Sequence, residues 1–300
     1  MDMTQNKCCR HGANLRRRRR RRRKILRSVI FSCCIIVVAV FVAVGSSMIR
    51  SGDGRTNRYD VEAENNTYDN AVIENSKISE KNKIQNNQSM LDDIMNSTQY
   101  PKQLKDLALK NEEALEFVYD YPAEHVKEHT IDLTEEASMD SVPLFVQWDK
   151  RWGYEKYSGN FFAASGCGPT TLSMVVVYLT HNREASPIAV AKYSKEAGYS
   201  VDGSGSSWTL ISEGCMHYGV KAKIVALDES RMKAELDAGH PIVVNVGPGD
   251  FTDTGHFMVI TGYDDEGFSI NDPNSIEKSG KRWLFKNISS QIRAVWSMYV

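Results

Sequence analysis

The sequence predicts an α+β domain carried behind one membrane-spanning segment, and three observations predict it. Cys167 opens an apolar helical pattern; helical patterns then give way to apolar strands that end in a hairpin from His256 to Asp272; and the 22 residues from Ser28 to Ile49 carry no charge. Helices first and antiparallel strands after is the order of the α+β class.

The chain divides by charge before it divides by structure. Over 300 residues the formal net charge is −1, as in an ordinary soluble protein. Yet the first fifty residues hold thirteen of the 37 Lys and Arg, Arg16 to Arg23 among them, against the single acid Asp2. The other 250 carry 24 bases and 37 acids, a net charge of −13. Residues 1–27 read as a basic tail and residues 28–49 as one transmembrane helix, since ~20 residues cross a hydrocarbon layer of ~30 Å. The positive-inside rule keeps the tail in the cytoplasm and sends the C-terminal part outside, which makes a single-pass protein of the cell membrane. A cleaved signal peptide is the rival reading, with Val44-Gly45-Ser46-Ser47 as its small-residue site, but its apolar core would be shorter, at ~7–15 residues. Polyarginine also suits nucleic acid. Beside an apolar span, topology and anionic lipid headgroups account for Arg16 to Arg23 better, and no nucleic-acid partner is expected.

Residues 50–99 are polar and rich in Asn, with Asn65, Asn66, Asn70, Asn75, Asn82, Asn86 and Asn87, and read as a disordered linker that buries too little surface to fold. Residues 100–141 read as a helical preface. Tyr100-Pro101 opens it, and Leu104, Leu107, Ala108, Leu115, Phe117 and Val118 alternate with Lys and Glu as far as Tyr121-Pro122. It is expected to pack on the flank of the domain that follows, residues 142–300.

Within that domain Pro169 suits a first helical turn, and Leu172, Val175, Val176 and Leu179 then fall on one stripe. Helices are further expected over Pro187 to Ala197, Trp208 to Tyr218 and Glu229 to Ala238. Strands are expected over Lys221 to Ala226, over the apolar run Pro241 to Val246 and in the hairpin, with Ala294 to Tyr299 closing the sheet. Gly203-Ser204-Gly205-Ser206-Ser207 and Gly247-Pro248-Gly249-Asp250 read as turns or as mobile rims of a cleft.

The chemistry gathers at three places. Gly166 and Gly168 bracket Cys167 and let the backbone turn around it. A helix N-terminus favours negative charge, so a thiolate is stabilised there and the cysteine pKa falls; a small buried cysteine beside a helix cap is the plain alternative. A thiol nucleophile needs a base, and the base needs an orienting group. Thr254-Gly255-His256-Phe257 begins one strand, Asp264-Asp265-Glu266-Gly267 makes a turn, and Phe268 to Asp272 forms the return strand, stopped by Pro273. The pairing sets His256 and Asp272 where they can face each other across the ladder.

The strings GCGPTT, TGHFMVITGYD and NDP, in the order Cys, His, Asp, resemble the peptidase C39-like group of papain-type cysteine peptidases over roughly Val142 to Val300. The resemblance implies a papain-like fold, a helical lobe and an antiparallel sheet with the site in the cleft between them. It makes Cys167 the nucleophile, His256 the general base and later acid, and Asp272 the group that fixes the imidazole. Asn271 is the alternative for that third role, because papain-type enzymes also use Asn and alternation puts one of the two on the His face. The resemblance also implies a glutamine that donates to the oxyanion. Gln147, twenty positions before Cys167, matches it, with Asn160 as the alternative. The implied reaction is hydrolysis of a peptide or amide bond through a thioester, on an extracellular or cell-wall peptide; an amine in place of water would make it a transpeptidase. Two other classes stand beside the enzyme: a non-catalytic peptide-binding module on the same fold, and a surface assembly protein.

No cofactor or metal is expected. Paired CxxC ligands are absent from the sequence. His125-Val126-Lys127-Glu128-His129 matches the H-x-x-E-H string of inverted zincins, but it follows Pro122 in a polar connector and reads as a solvated charge run. Of the six cysteines, Cys8 and Cys9 fall in the tail, Cys33 and Cys34 in the span, and Cys167 and Cys215 in the outer domain. A Cys167–Cys215 disulfide would remove the nucleophile; Cys215, in an apolar helical pattern, is expected to be free.

Overall fold

Ile242–Val246 is apolar but for Asn245, and all five residues are buried. Such a strand needs cover on both faces, and alternation divides it: Val243 joins one core cluster, while Ile242, Val244 and Val246 join another. In the computed structural model, which describes residue 77 and residues 79–300, this strand sits inside a six-stranded sheet. The strands are β1 (Lys221–Ile224), β2 (Ile242–Val246), β3 (His256–Asp264), β4 (Gly267–Asn271), β5 (Arg282–Trp283) and β6 (Ile292–Tyr299). Every pairing is antiparallel, in the order β1-β6-β2-β3-β4-β5. The last strand therefore does not close the sheet. It lies between β1 and β2, and the edge beyond β4 is β5, two residues with no periodicity to read.

Five longer helices accompany the sheet: α1 (residues 79–96), α2 (Lys102–Lys110), α3 (Cys167–Thr180), α4 (Pro187–Glu196) and α5 (Glu229–Asp237). α3 packs on β3 and α4, and α5 covers the opposite face at β2 and β3. The predicted α+β class with an antiparallel sheet is what the structure contains. Residues Gly168 to Val177 of α3 are all buried, so the helix is enclosed all round rather than along one stripe. Trp208 to Tyr218 is not one helix but a turn, Thr209–Ser212, and a 3-10 segment, Gly214–Tyr218, with Gly214, a poor helix former, at the break.

Two corrections concern the glycines and the linker. Gly166 has φ −85° and Gly168 no positive φ, so neither is needed for an unusual turn. They are needed for close approach. A Cβ on Gly166 would stand 2.6 Å from the Phe162 ring, and one on Gly168 would stand 2.5 Å from Ser206 Oγ. The linker reading fails for residues 79–96, because Ile94 is fully buried and Met90 and Leu91 pack beside it. Three apolar residues on one helix face find cover in the preface, a contact that composition does not register.

α2 ends at Asn111 (φ −137°), a short 3-10 turn covers Glu112–Ala114, and helical turns follow at Leu115–Tyr119 and Tyr121–Glu124. Leu104, Leu107, Ala108, Leu115, Phe117 and Val118 form one cluster with Phe161 and Ala163 of the domain. The tail, the apolar span 28–49 with its lipid contacts, and the linker up to residue 76 lie outside the described residues. Among the described residues no helix is long and apolar enough to cross a membrane.

Candidate active site

Cys167 is the first residue of α3, partly exposed, and His256 is the first residue of β3. One bond ties these ends together and a second holds the His256 end to the neighbouring strand. Thr171 Oγ1, one turn into α3, donates to the Phe257 carbonyl at 3.1 Å, and Asn245 Nδ2 on β2 donates to the His256 carbonyl at 3.2 Å. The His256 ring and the backbone N–H groups of Phe257 and Gly168 favour the thiolate. Burial pushes the Cys167 thiol up, but these partners outweigh it and hold it below the ordinary cysteine range. Burial likewise disfavours the imidazolium, yet the charge and hydrogen bond of Asp272, with Cys167 behind them, raise His256 to about 10. The two groups titrate as a pair.

Asp272 is fully buried, and its Oδ1 lies 2.7 Å from His256 Nε2. That contact leaves Nδ1 as the ring nitrogen for the thiol. The register explains the meeting: Asn271 stands opposite Val259, so Asp272, the next residue, comes diagonally across from His256. Asn271 points the other way, and its Nδ2 donates to the carbonyls of Val142 and Pro143 at 3.1 and 3.0 Å. The structure thus brings Asp272 to His256 and gives Asn271 to the opening segment. Asp272 Oδ1 also accepts the N–H of Asn274 at 2.8 Å, its own N–H donates to Ser279 Oγ at 2.9 Å, and its Oδ2 is buried without a hydrogen-bond partner.

Gln147 and Asn160 both reach the cleft over Cys167. The Gln147 backbone N–H donates to the Pro273 carbonyl at 2.7 Å, and Nε2 donates to the Ala163 carbonyl at 2.7 Å, while Oε1 is buried without a partner. One Nε2 hydrogen is thereby committed and the second is left for another acceptor. Asn160 is partly exposed, and its Oδ1 accepts the N–H of Phe161 at 2.8 Å.

The cleft has two lobes that share Asn160, Ala164, Cys167, Thr254 and Gly255. One lobe, about 690 Å³, is lined by Ser158, Ser206, Trp208 and Arg293 together with Gly203, Gly205, Gly247 and Pro248, so both glycine-containing turns do border it. The other, about 490 Å³, is walled by Gln103, Asp106, Lys110 and Asn111 of the preface facing Asp250, Asp253 and Lys278. The preface therefore lines the site as well as the flank. No sequence signal announces this, because the polar face of α2 has the composition of any solvated helix face.

Cys215 is buried and free, and burial pushes its thiol up to about 11. His125 Nδ1 is paired with the Tyr121 carbonyl at 2.6 Å and His129 Nε2 with the Glu124 carbonyl at 3.2 Å, on a stretch that is not helical beyond Glu124. Among the described residues no group of three or more His, Cys, Asp or Glu is arranged to hold a metal ion.

Residues 139–300 match the model of the Peptidase_C39 like family, just over half of the chain. The chain belongs to that family. Among solved structures, this Peptidase_C39-like chain is similar to the peptidase domain of Streptococcus ComA, a bifunctional ABC transporter involved in a quorum-sensing pathway, at 20% identity and TM-score 0.36, over 45% of this chain and 90% of that one. It is also similar to a chain from Bacillus anthracis described as a C39-like peptidase, at 17% identity and TM-score 0.34, over 53% of this chain and 95% of that one. No curated protein matches it.

Proposed function

We propose that the protein is a membrane-anchored extracellular thiol peptidase or amidase that cleaves peptide or amide bonds through a Cys-His-Asp triad. The observation that carries the reading is the His256–Asp272 pair, Nε2 to Oδ1 at 2.7 Å, beside a Cys167 thiol that the same histidine holds below its ordinary range. A nucleophile in contact with a base, and the base held by a carboxylate on its other nitrogen, is the arrangement acyl transfer requires. The Cys167 thiolate attacks the substrate carbonyl carbon. Gln147 Nε2–H and backbone N–H groups receive the oxyanion, with Asn160 as the alternative donor. The C–N bond breaks as the His256 imidazolium gives its proton to the leaving amine, which leaves a thioester on Cys167. His256 then takes a proton from water, the hydroxide adds to the thioester, and the acid departs as the thiolate is restored. Asp272 keeps the ring in one tautomer throughout.

Residues 28–49 are the anchor in this reading, with Arg16 to Arg23 against anionic headgroups on the cytoplasmic side and a cell-wall or secreted peptide as substrate. The test is cleavage of an extracellular peptide mixture by the full chain, read by mass spectrometry beside Cys167→Ala and His256→Ala. Loss of every product in both variants supports the proposal; products that persist without Cys167 sink it. Protease added outside intact cells should remove the domain, and protection of the domain would refute the orientation.

A further inference from the structure

The turn that carries Asp272 is held from outside the family domain. The family match begins at residue 139, yet Asn111 and Glu113 of the preface grip the residues directly after Asp272. Glu113 accepts the Ser275 hydroxyl, the Ile276 N–H at 2.7 Å and the Glu277 N–H at 3.1 Å. Asn111 Nδ2 donates to Asn274 O and Oδ1 at 2.9 and 3.1 Å, and its own Oδ1 accepts the Glu113 N–H at 3.0 Å, so the two residues act as one unit. On the other side of the same turn, Asp272 Oδ1 takes the Asn274 N–H on the oxygen that meets His256. Residues 274–277 are therefore clamped between the preface and Asp272.

We propose that Glu113 is a positioning residue for the Cys167–His256–Asp272 site, acting through Ser275, Ile276 and Glu277 on the turn that Asp272 opens. The proposal rests on the thiol-peptidase reading and makes the preface a working part of the active site. A carboxylate that takes three donors makes charge-assisted bonds, stronger than the neutral bonds of Asn111 and of Trp148 Nε1 to the Asn274 carbonyl that would remain without it. Loosening the turn loosens the oxygen that faces His256, and supporting shells of this kind set how well a site is pre-organised. The charged groups lining the cleft lobe walled by the preface, Asp106, Lys110, Asp250, Asp253 and Lys278, stay in place in the variants below.

The experiment is iodoacetamide labelling of the full chain from pH 5 to 10, with Cys167 quantified by peptide mass mapping, in wild type, Glu113→Ala, Glu113→Gln and Glu112→Ala. Glu112 Oε1 holds only the exposed Asn87 amide at 2.7 Å, so Glu112→Ala is the control. In Glu113→Ala, the midpoint of Cys167 labelling against pH is expected to rise by about one unit, a tenfold change in the thiolate-to-thiol ratio. Glu113→Gln, which keeps one acceptor oxygen, should fall between, and Glu112→Ala should match wild type. Unchanged labelling in a folded Glu113→Ala overturns the proposal and leaves the thiol-peptidase reading standing. Should Glu113→Ala lose cooperative unfolding, Glu113→Gln carries the same two outcomes. An ordinary thiol profile in the wild type overturns both readings.

Discussion

Asp272→Asn removes the charge behind His256 and keeps the shape and one acceptor oxygen. A 2.7 Å contact between Nε2 and Oδ1 sets the charge centres ~4 Å apart, where an effective dielectric of about 20 gives about 4 kcal/mol of attraction. That is about three pKa units. His256, held at about 10 in the native protein, should fall to near its ordinary ~6.5. The thiolate–imidazolium pair should become scarcer by about 10²- to 10³-fold, and the labelling midpoint of Cys167 should rise toward the ordinary ~8.5. The sign follows from the causes: Cys167 is kept low chiefly by His256, against burial. The assay is Cys167 alkylation against pH, beside the His256 titration followed by NMR. A midpoint that stays where it was in a folded Asp272→Asn would refute the reasoning, because the orienting charge would then lie elsewhere.

Asn271→Ala should leave the Cys167 profile alone and cost about 1–3 kcal/mol in urea unfolding, the penalty for stranding the Val142 and Pro143 carbonyls; a shifted profile would restore Asn271 as a candidate for the third role. Gly168→Ala should destabilise by about 1–3 kcal/mol through overpacking against Ser206, and Ser206→Gly in the same chain should recover most of it. Glu235 is held down at about 2, first by His240 and then by Lys223. A depressed carboxylate stabilises the fold above its unfolded pKa of ~4.3 and loses that contribution as pH falls toward about 2. Glu235→Gln should therefore cost roughly 1–2 kcal/mol at pH 7, and the gap to wild type should narrow through the acid range; a gap constant with pH would contradict it.

Much of the domain is legible because its signals are local. The apolar run at β2 and the stopped hairpin at Pro273 need only their own residues to be read, and so does the cysteine at a helix start. The β5 edge, two residues long, has no period. β6 is legible as a strand but not in its place, because strand order follows from which faces need burial, and the core clusters decide that only when all the strands are present. Residues 79–96 show the same limit: Ile94 is buried by neighbours that linker composition does not name.

At the site, the sequence alone determined the residue types and their order, Cys167, His256 and a carboxylate or amide at 271–272, because a nucleophile, a base and an orienter are chemical requirements visible in single side chains. The tertiary structure decided which of Asn271 and Asp272 meets His256. Parity along β4 turns one toward the opening segment and the other toward His256, and parity has no meaning until the register is set. It alone decided that the preface walls the cleft and clamps the turn after Asp272, since Asn111 and Glu113 lie more than 150 residues from the atoms they bind. A contact across that distance is chosen by packing of the whole domain and leaves no mark on the residues between.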